Sequence, residues 1–127
     1  MIPRFRAYDG GSLCRMYSPE EVMVGNGDIW IIDEDGVAGE WIVNNDLVLM
    51  QSTGLTDKNG KEIFEGDVVK MAKNIYSEPT YYEVVRHRGG AYRLESKQYG
   101  CELWLRHTDC EIAGNIYENP ELVEVKK

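Results

Sequence analysis

A mainly β fold is predicted by three features of this 127-residue sequence. Its 13 glycines divide the chain into short stretches rich in Val, Ile, Tyr and Trp, the side chains that suit a pleated, half-buried surface. Its apolar runs, such as Ile29-Trp30-Ile31-Ile32 and Leu47-Val48-Leu49-Met50, are too short for a membrane span. Turn residues recur at the spacing expected of a barrel or sandwich, and the length favours a small barrel with an N-terminal β-rich appendage. Hydrophobic residues at 43% and charged residues at 28% exclude a disordered, collagen-like or membrane-spanning chain.

Taken in order, Arg4 to Tyr8 alternates charged and apolar residues, and Asp9-Gly10-Gly11-Ser12 supplies turn positions before Leu13 to Tyr17, which predicts a hairpin. Ser18-Pro19-Glu20-Glu21 carries an N-cap serine, proline at the first helical position and a glutamate three residues after the cap. Gly25-Asn26-Gly27 ends that helix within two turns. Asp28–Asp33, Val37–Val43 and Asp46–Gln51 are then expected as a three-strand meander, turned at Asp33-Glu34-Asp35-Gly36 and Asn44-Asn45. The segment from Thr53 to Asp67 is dominated by turns, and Gly60 and Gly66 are expected at positive φ. Strands are predicted at Val68–Met71, Tyr81–His87, Ala91–Glu95, Glu102–Arg106 and Glu111–Tyr117, with Gly89-Gly90 closing a hairpin and Gly114 marking a bulge or a close backbone approach. Asn119-Pro120-Glu121-Leu122 predicts a short capped helix.

The run LMQSTGLTDKNGKEIFEGDVV, Leu49 to Val69, resembles the signature of the YopX family, small proteins typical of phages and prophages in bacteria. The opening FRAYD, the following Met16-Tyr17 and the closing IAGNIYENPEL reinforce the resemblance across nearly the whole chain. It implies one YopX-like domain over 1–127, with an N-terminal β-rich part at 1–52 and an SH3-like barrel with a short C-terminal helix at 53–127. It implies no known reaction. A signature built of glycines and turn residues is what backbone geometry alone requires, so it reads as architectural.

Residue chemistry points the same way. Asp57-Lys58-Asn59-Gly60 lacks the glycine and glutamate spacing of a calcium loop, and neither a phosphate-binding nor a dinucleotide-binding glycine pattern is complete. His87 and His107 stand outside any zinc motif, and Cys14, Cys101 and Cys110 form no Cys-x-x-Cys pair. No metal or cofactor is therefore expected. A cysteine-histidine pair of Cys101 or Cys110 with His107 has neither identifiable oxyanion donors nor an orienting group, so the expectation is a protein that is not an enzyme. The short first residues Met1-Ile2-Pro3-Arg4-Phe5-Arg6 carry no secretory apolar segment, which predicts residence in the cytoplasm of the bacterial host.

Charge offers one candidate binding surface. The net charge of −8 disfavours a dedicated binder of phosphate backbone, yet the acidity is concentrated in the first half. Between Val84 and His107 the residues Arg86, Arg88, Arg93 and Arg106 are interleaved with Tyr92 and Trp104. Aromatic rings stacking on bases beside arginines are how small barrels hold single-stranded nucleic acid. Alternation along a solvated strand face explains the same pattern, with Trp104 anchoring the core. The leading expectation is a module that binds an unknown protein partner or a copy of itself, with single-stranded nucleic-acid binding as the alternative and an unrecognised enzyme as the second.

Overall fold

The computed structural model describes residues 4–11, 14–32, 40–72, 78–86, 90–96 and 100–122. Two compact units divide it, Met1–Gln51 and Ser52–Lys127.

In the first unit, β1 (Phe5–Asp9) and β2 (Arg15–Tyr17) form the expected antiparallel hairpin, with Ala7 opposite Tyr17 and Asp9 opposite Arg15. The helix expected after Ser18 is one 3-10 turn, Pro19–Glu21, in which the Glu21 carboxylate accepts from both the Ser18 backbone N–H (3.0 Å) and its hydroxyl (3.1 Å). The chain then becomes extended, because Val22-Met23-Val24 favours strand and Asn26-Gly27 turns it back with both residues at positive φ (53° and 80°). β3 (Val22–Gly25) and β4 (Asp28–Ile32) are the resulting hairpin, and β5 (Trp41–Val43) adds to β4. The turn expected at Asp33–Gly36 lies outside the described residues.

The expected meander is corrected at its third strand. β6 (Val48–Thr56) does not pair with β5; its first residues pair antiparallel with β1, Phe5 opposite Gln51 and Tyr8 opposite Val48. The Asn44-Asn45 pair explains the departure. Ile29 N–H donates to Asn45 Oδ1 (2.8 Å) and Asn44 N–H donates to the Ile29 carbonyl (2.9 Å), so these asparagines seal the end of the β4–β5 ladder instead of folding β6 back onto it. Ala7, Tyr17, Val22, Ile31 and Leu47 form the core of this unit.

In the second unit, the end of β6 pairs with β7 (Glu62–Phe64), and five antiparallel strands follow in the order β11-β10-β9-β8-β12. They are β8 (Asp67–Met71), β9 (Thr80–Arg86), β10 (Tyr92–Glu95), β11 (Gly100–Glu102) and β12 (Glu111–Asn115). Antiparallel sheets with a curled half-barrel result, over a core of Ile63, Val69, Met71, Tyr82, Val84, Leu94, Leu103 and Cys110.

One predicted strand is corrected here. Leu103–Arg106 is a single helical turn, α1, followed by a 3-10 turn at His107–Asp109. Strand alternation would place Leu103 and Leu105 on one face, whereas the helical turn buries Leu103 and leaves Trp104 and Leu105 outside at 64% and 58% exposure. Trp104 is therefore not a core anchor.

The glycine-studded segment between β6 and β8 is a backbone junction. Asp57 is buried, yet its Oδ1 accepts from the N–H groups of Asn59 (2.8 Å) and Lys61 (2.9 Å), and its Oδ2 from Ile112 in β12 (3.0 Å). Burial alone pushes this carboxyl up, but the three backbone donors outweigh it and hold the pKa below the ordinary aspartate value. Gly60 and Gly66 both lie at positive φ, 82° and 86°, as expected. Gly66 N–H donates to Val84 (2.9 Å) while its carbonyl accepts from Ile116 (2.9 Å), which ties the turn to β9 and to the chain leaving β12. Asp67 Oδ2 accepts from Phe64 N–H (2.8 Å) within the same turn. The bulge expected in β12 is present between Ile112 and Gly114, and the expected C-terminal helix is one 3-10 turn, Pro120–Leu122.

Candidate interaction face

β4 is apolar on both sides. Ile29 and Ile31 turn toward the core of the first unit, and Trp30 and Ile32 lie on the other face of the sheet. Cross-strand register completes that outer face, because directly paired residues share a side: Met23, Trp30 and Val43 form one row across β3, β4 and β5, and Ile32 with Trp41 forms the next. Met23 is 48% exposed, Val43 43% and Trp41 36%, while Trp30 and Ile32 are half-buried among them. Single exposed apolar residues are ordinary, but five side by side on one sheet face match the contact patches of interaction modules. Asp28 continues the same side of β4 and accepts from Asn45 Nδ2 (2.9 Å), which supplies a polar margin. The Trp30 indole N–H is held by the Gly25 carbonyl at 3.4 Å, fixing the ring at the centre of the row.

This face has no contiguous mark in the sequence, whose conspicuous segment is the basic, aromatic one. Of that set, Arg88 lies outside the described residues. Tyr92 packs against the core of the second unit, with burial raising its phenol pKa, and Arg86 is its exposed cross-strand partner at the end of β9. Arg93 is on the opposite side of β10, where it is paired with Glu102 (2.7 Å) and Glu95 (3.6 Å). Arg106 is paired with Asp109 (3.0 Å) beside the exposed Trp104. The structure thus brings Arg86 and Tyr92 together, sends Arg93 to the other side of β10 and places Trp104 and Arg106 on α1, and carboxylates neutralise Arg93 and Arg106. A strand apolar on both sides, following an Asn-Gly turn, was the signal that could have found the other face.

Thiol chemistry is muted at the two cysteines of the second unit. Burial pushes the Cys110 thiol to about 12, and it donates to the Arg106 carbonyl (3.3 Å). Burial raises Cys101 as well, against the lowering effect of Arg106 and Arg93. His107 Nδ1 is engaged by the Thr56 carbonyl (2.7 Å). Neither thiol is thereby poised as a thiolate at neutral pH. Among the described residues no group of three or more His, Cys, Asp or Glu side chains is arranged to hold a metal ion, and no helix is long and apolar enough to cross a membrane.

The model of the YopX protein family matches residues 4–124. The chain belongs to the YopX family. A crystal structure of protein EF1440 from Enterococcus faecalis is similar over 98% of this chain and 99% of that one, with 30% identity and a TM-score of 0.64. The crystal structure of protein YopX from Bacillus subtilis shares the fold at 20% identity, with a TM-score of 0.65 over 95% of this chain and 98% of that one. No curated protein matches the chain. In this YopX-family chain the signature segment coincides with the Asp57–Asp67 junction, where its acidic and glycine residues close turns and cross-link strands.

Proposed function

We propose that this chain is a non-enzymatic accessory module of a bacterial phage or prophage, acting in the host cytoplasm by binding a protein partner. The observation that carries the reading is the apolar row Met23, Trp30 and Val43 with Trp41 beside it, displayed on a sheet whose other face packs Val22, Ile29 and Ile31 on the core and leaves Val24 and Ile42 exposed at its margins. Aromatic and methionine side chains are the residue types enriched where partners desolvate each other. The muted thiols and the neutralised arginines support this reading over catalysis and over nucleic-acid binding. In the second unit, the curled five-stranded sheet supports an SH3-like barrel that serves as scaffold.

The test is site-directed photocrosslinking in host cells, with a benzoyl-phenylalanine placed at Met23 and, as a control, at Lys61, which is exposed in the second unit. A discrete adduct from position 23 that disappears in the Met23→Asp/Val43→Asp double variant is expected. Adducts that form equally from both positions, or that persist in the double variant, overturn the assignment of the face.

A further inference from the structure

β5 is the edge of its sheet. Its three residues, Trp41, Ile42 and Val43, are all exposed, and among the described residues it pairs with β4 alone. β3, the other edge, buries Val22 in the core. The hydrogen-bond phase of β5 follows from one contact. Asn44 N–H donates to Ile29 O, so Ile29 and Asn44 occupy a hydrogen-bonded position of the antiparallel ladder, and the positions alternate from there. Ile31 and Ile42 are the next hydrogen-bonded pair; Trp30 with Val43 and Ile32 with Trp41 are the non-hydrogen-bonded ones. In such pairs the backbone N–H and C=O point away from the neighbouring strand. Trp41 and Val43 therefore direct their backbone donors and acceptors to the side of β5 away from β4, which no strand among the described residues occupies, while their side chains extend the apolar face.

Charge selects the occupant. Residues 1–51 contain 3 basic and 9 acidic side chains, a net of −6, and the exposed Glu40 directly precedes β5. A second copy docking here would bring one such unit against another of the same sign, which opposes association. We infer that the β5 edge takes an extended, cationic segment of a partner protein as a fourth strand, with its apolar side chains beside Trp41 and Val43. The inference rests on the protein-binding reading above and names the partner's chemistry. Strand addition supplies backbone bonds without sequence demand, and alternate side chains supply selectivity.

The probe is a fluorescein-labelled peptide of alternating lysine and valine, titrated with the full chain and followed by anisotropy. Binding is expected that weakens with added salt and is at least about tenfold weaker for the glutamate-valine counterpart. Methylating the peptide's alternate backbone nitrogens in one phase, but not the other, removes its donors to β5 and is expected to cost about three- to tenfold. Val43→Pro removes an outward N–H at an edge position that tolerates proline and is expected to have a similar effect. Equal binding of the two charge types, or indifference to both methylation phases and to Val43→Pro, overturns the inference. Sedimentation showing a dimer without peptide, dissolved by Val43→Pro, overturns it in favour of a second copy. If the lysine-valine peptide does not bind while the position-23 adduct is lost in the double variant, strand addition fails and the protein-binding reading stands; if the adduct is also absent, both fail.

Discussion

At the scale of single residues, two kinds of constraint hold the second unit together. Gly66 is buried at φ 86° with both backbone groups bonded to other segments, whereas Gly60 has the same sign of φ in an exposed turn. A β-branched side chain is strained at either place by roughly 1 to 3 kcal/mol, and more at Gly66 because the turn cannot relax without breaking its cross-links. Gly66→Val is therefore expected to lower the denaturation midpoint in urea more than Gly60→Val does. Gly114 answers to space instead: a Cβ there would lie 2.4 Å from Asn119 Oδ1, so Gly114→Ala is expected to destabilise by about 1 to 3 kcal/mol in the same assay. Asp57 is the electrostatic counterpart. Asp57→Ala leaves three backbone donors without their acceptor and is expected to cost roughly 3 kcal/mol. Because the folded-state pKa of Asp57 is depressed, its contribution is present above the unfolded value near 3.8 and is lost as pH falls through the folded pKa. The gap between wild type and Asp57→Asn in thermal melts should accordingly narrow on acidification below that value.

At the scale of elements, the β9–β10 ladder contains a like-charge pair. Glu83 and Glu95 are direct cross-strand partners, and burial followed by the neighbouring Glu95 charge raises the Glu83 carboxyl above its ordinary 4.5. The folded state then binds the proton more tightly than the unfolded state, so ionisation of Glu83 removes stability as pH rises from about the unfolded value through the folded one. Glu83→Gln should stabilise the protein at neutral pH by about 0.2 to 1 kcal/mol, with the gain fading in acid; equal gains at pH 7 and in acid would contradict the mechanism. The elements also show how far local sequence reaches. The β1–β2 hairpin, β8, β9 and β10 are legible because each is a short run of strand-favouring residues with a glycine turn beside it. The residues of α1 pattern as a strand because Leu103, Trp104 and Leu105 carry no local signal of which side chain is buried; the core into which Leu103 packs makes that choice.

At the scale of the whole molecule, net charge −8 and the pairing of Arg93 and Arg106 with carboxylates leave little free positive potential for a phosphate chain. Anisotropy of a labelled oligothymidylate at low salt is expected to stay flat on titration. Salt-sensitive binding that Arg93→Ala abolishes would restore the nucleic-acid reading. The candidate sites divide along the same line. The basic, aromatic segment was conspicuous as a string of residue types, but strand alternation sends Arg93 and Tyr92 to opposite sides of β10. The apolar face is not legible as a segment because its members come from three strands separated in the chain by Asn26-Gly27 and by residues 33–40. Only register places Met23, Trp30 and Val43 in one row. From the order of residues alone came the β class, the positive φ of Gly60 and Gly66, the bulge at Gly114 and the family, since glycine requirements, turn chemistry and alternation are local consequences of backbone geometry. The pairing of β6 with β1, the docking of Ile112 on Asp57 and the identity of the exposed face were decided by tertiary structure, because each depends on which distant strand satisfies a hydrogen-bonding edge or covers an apolar side.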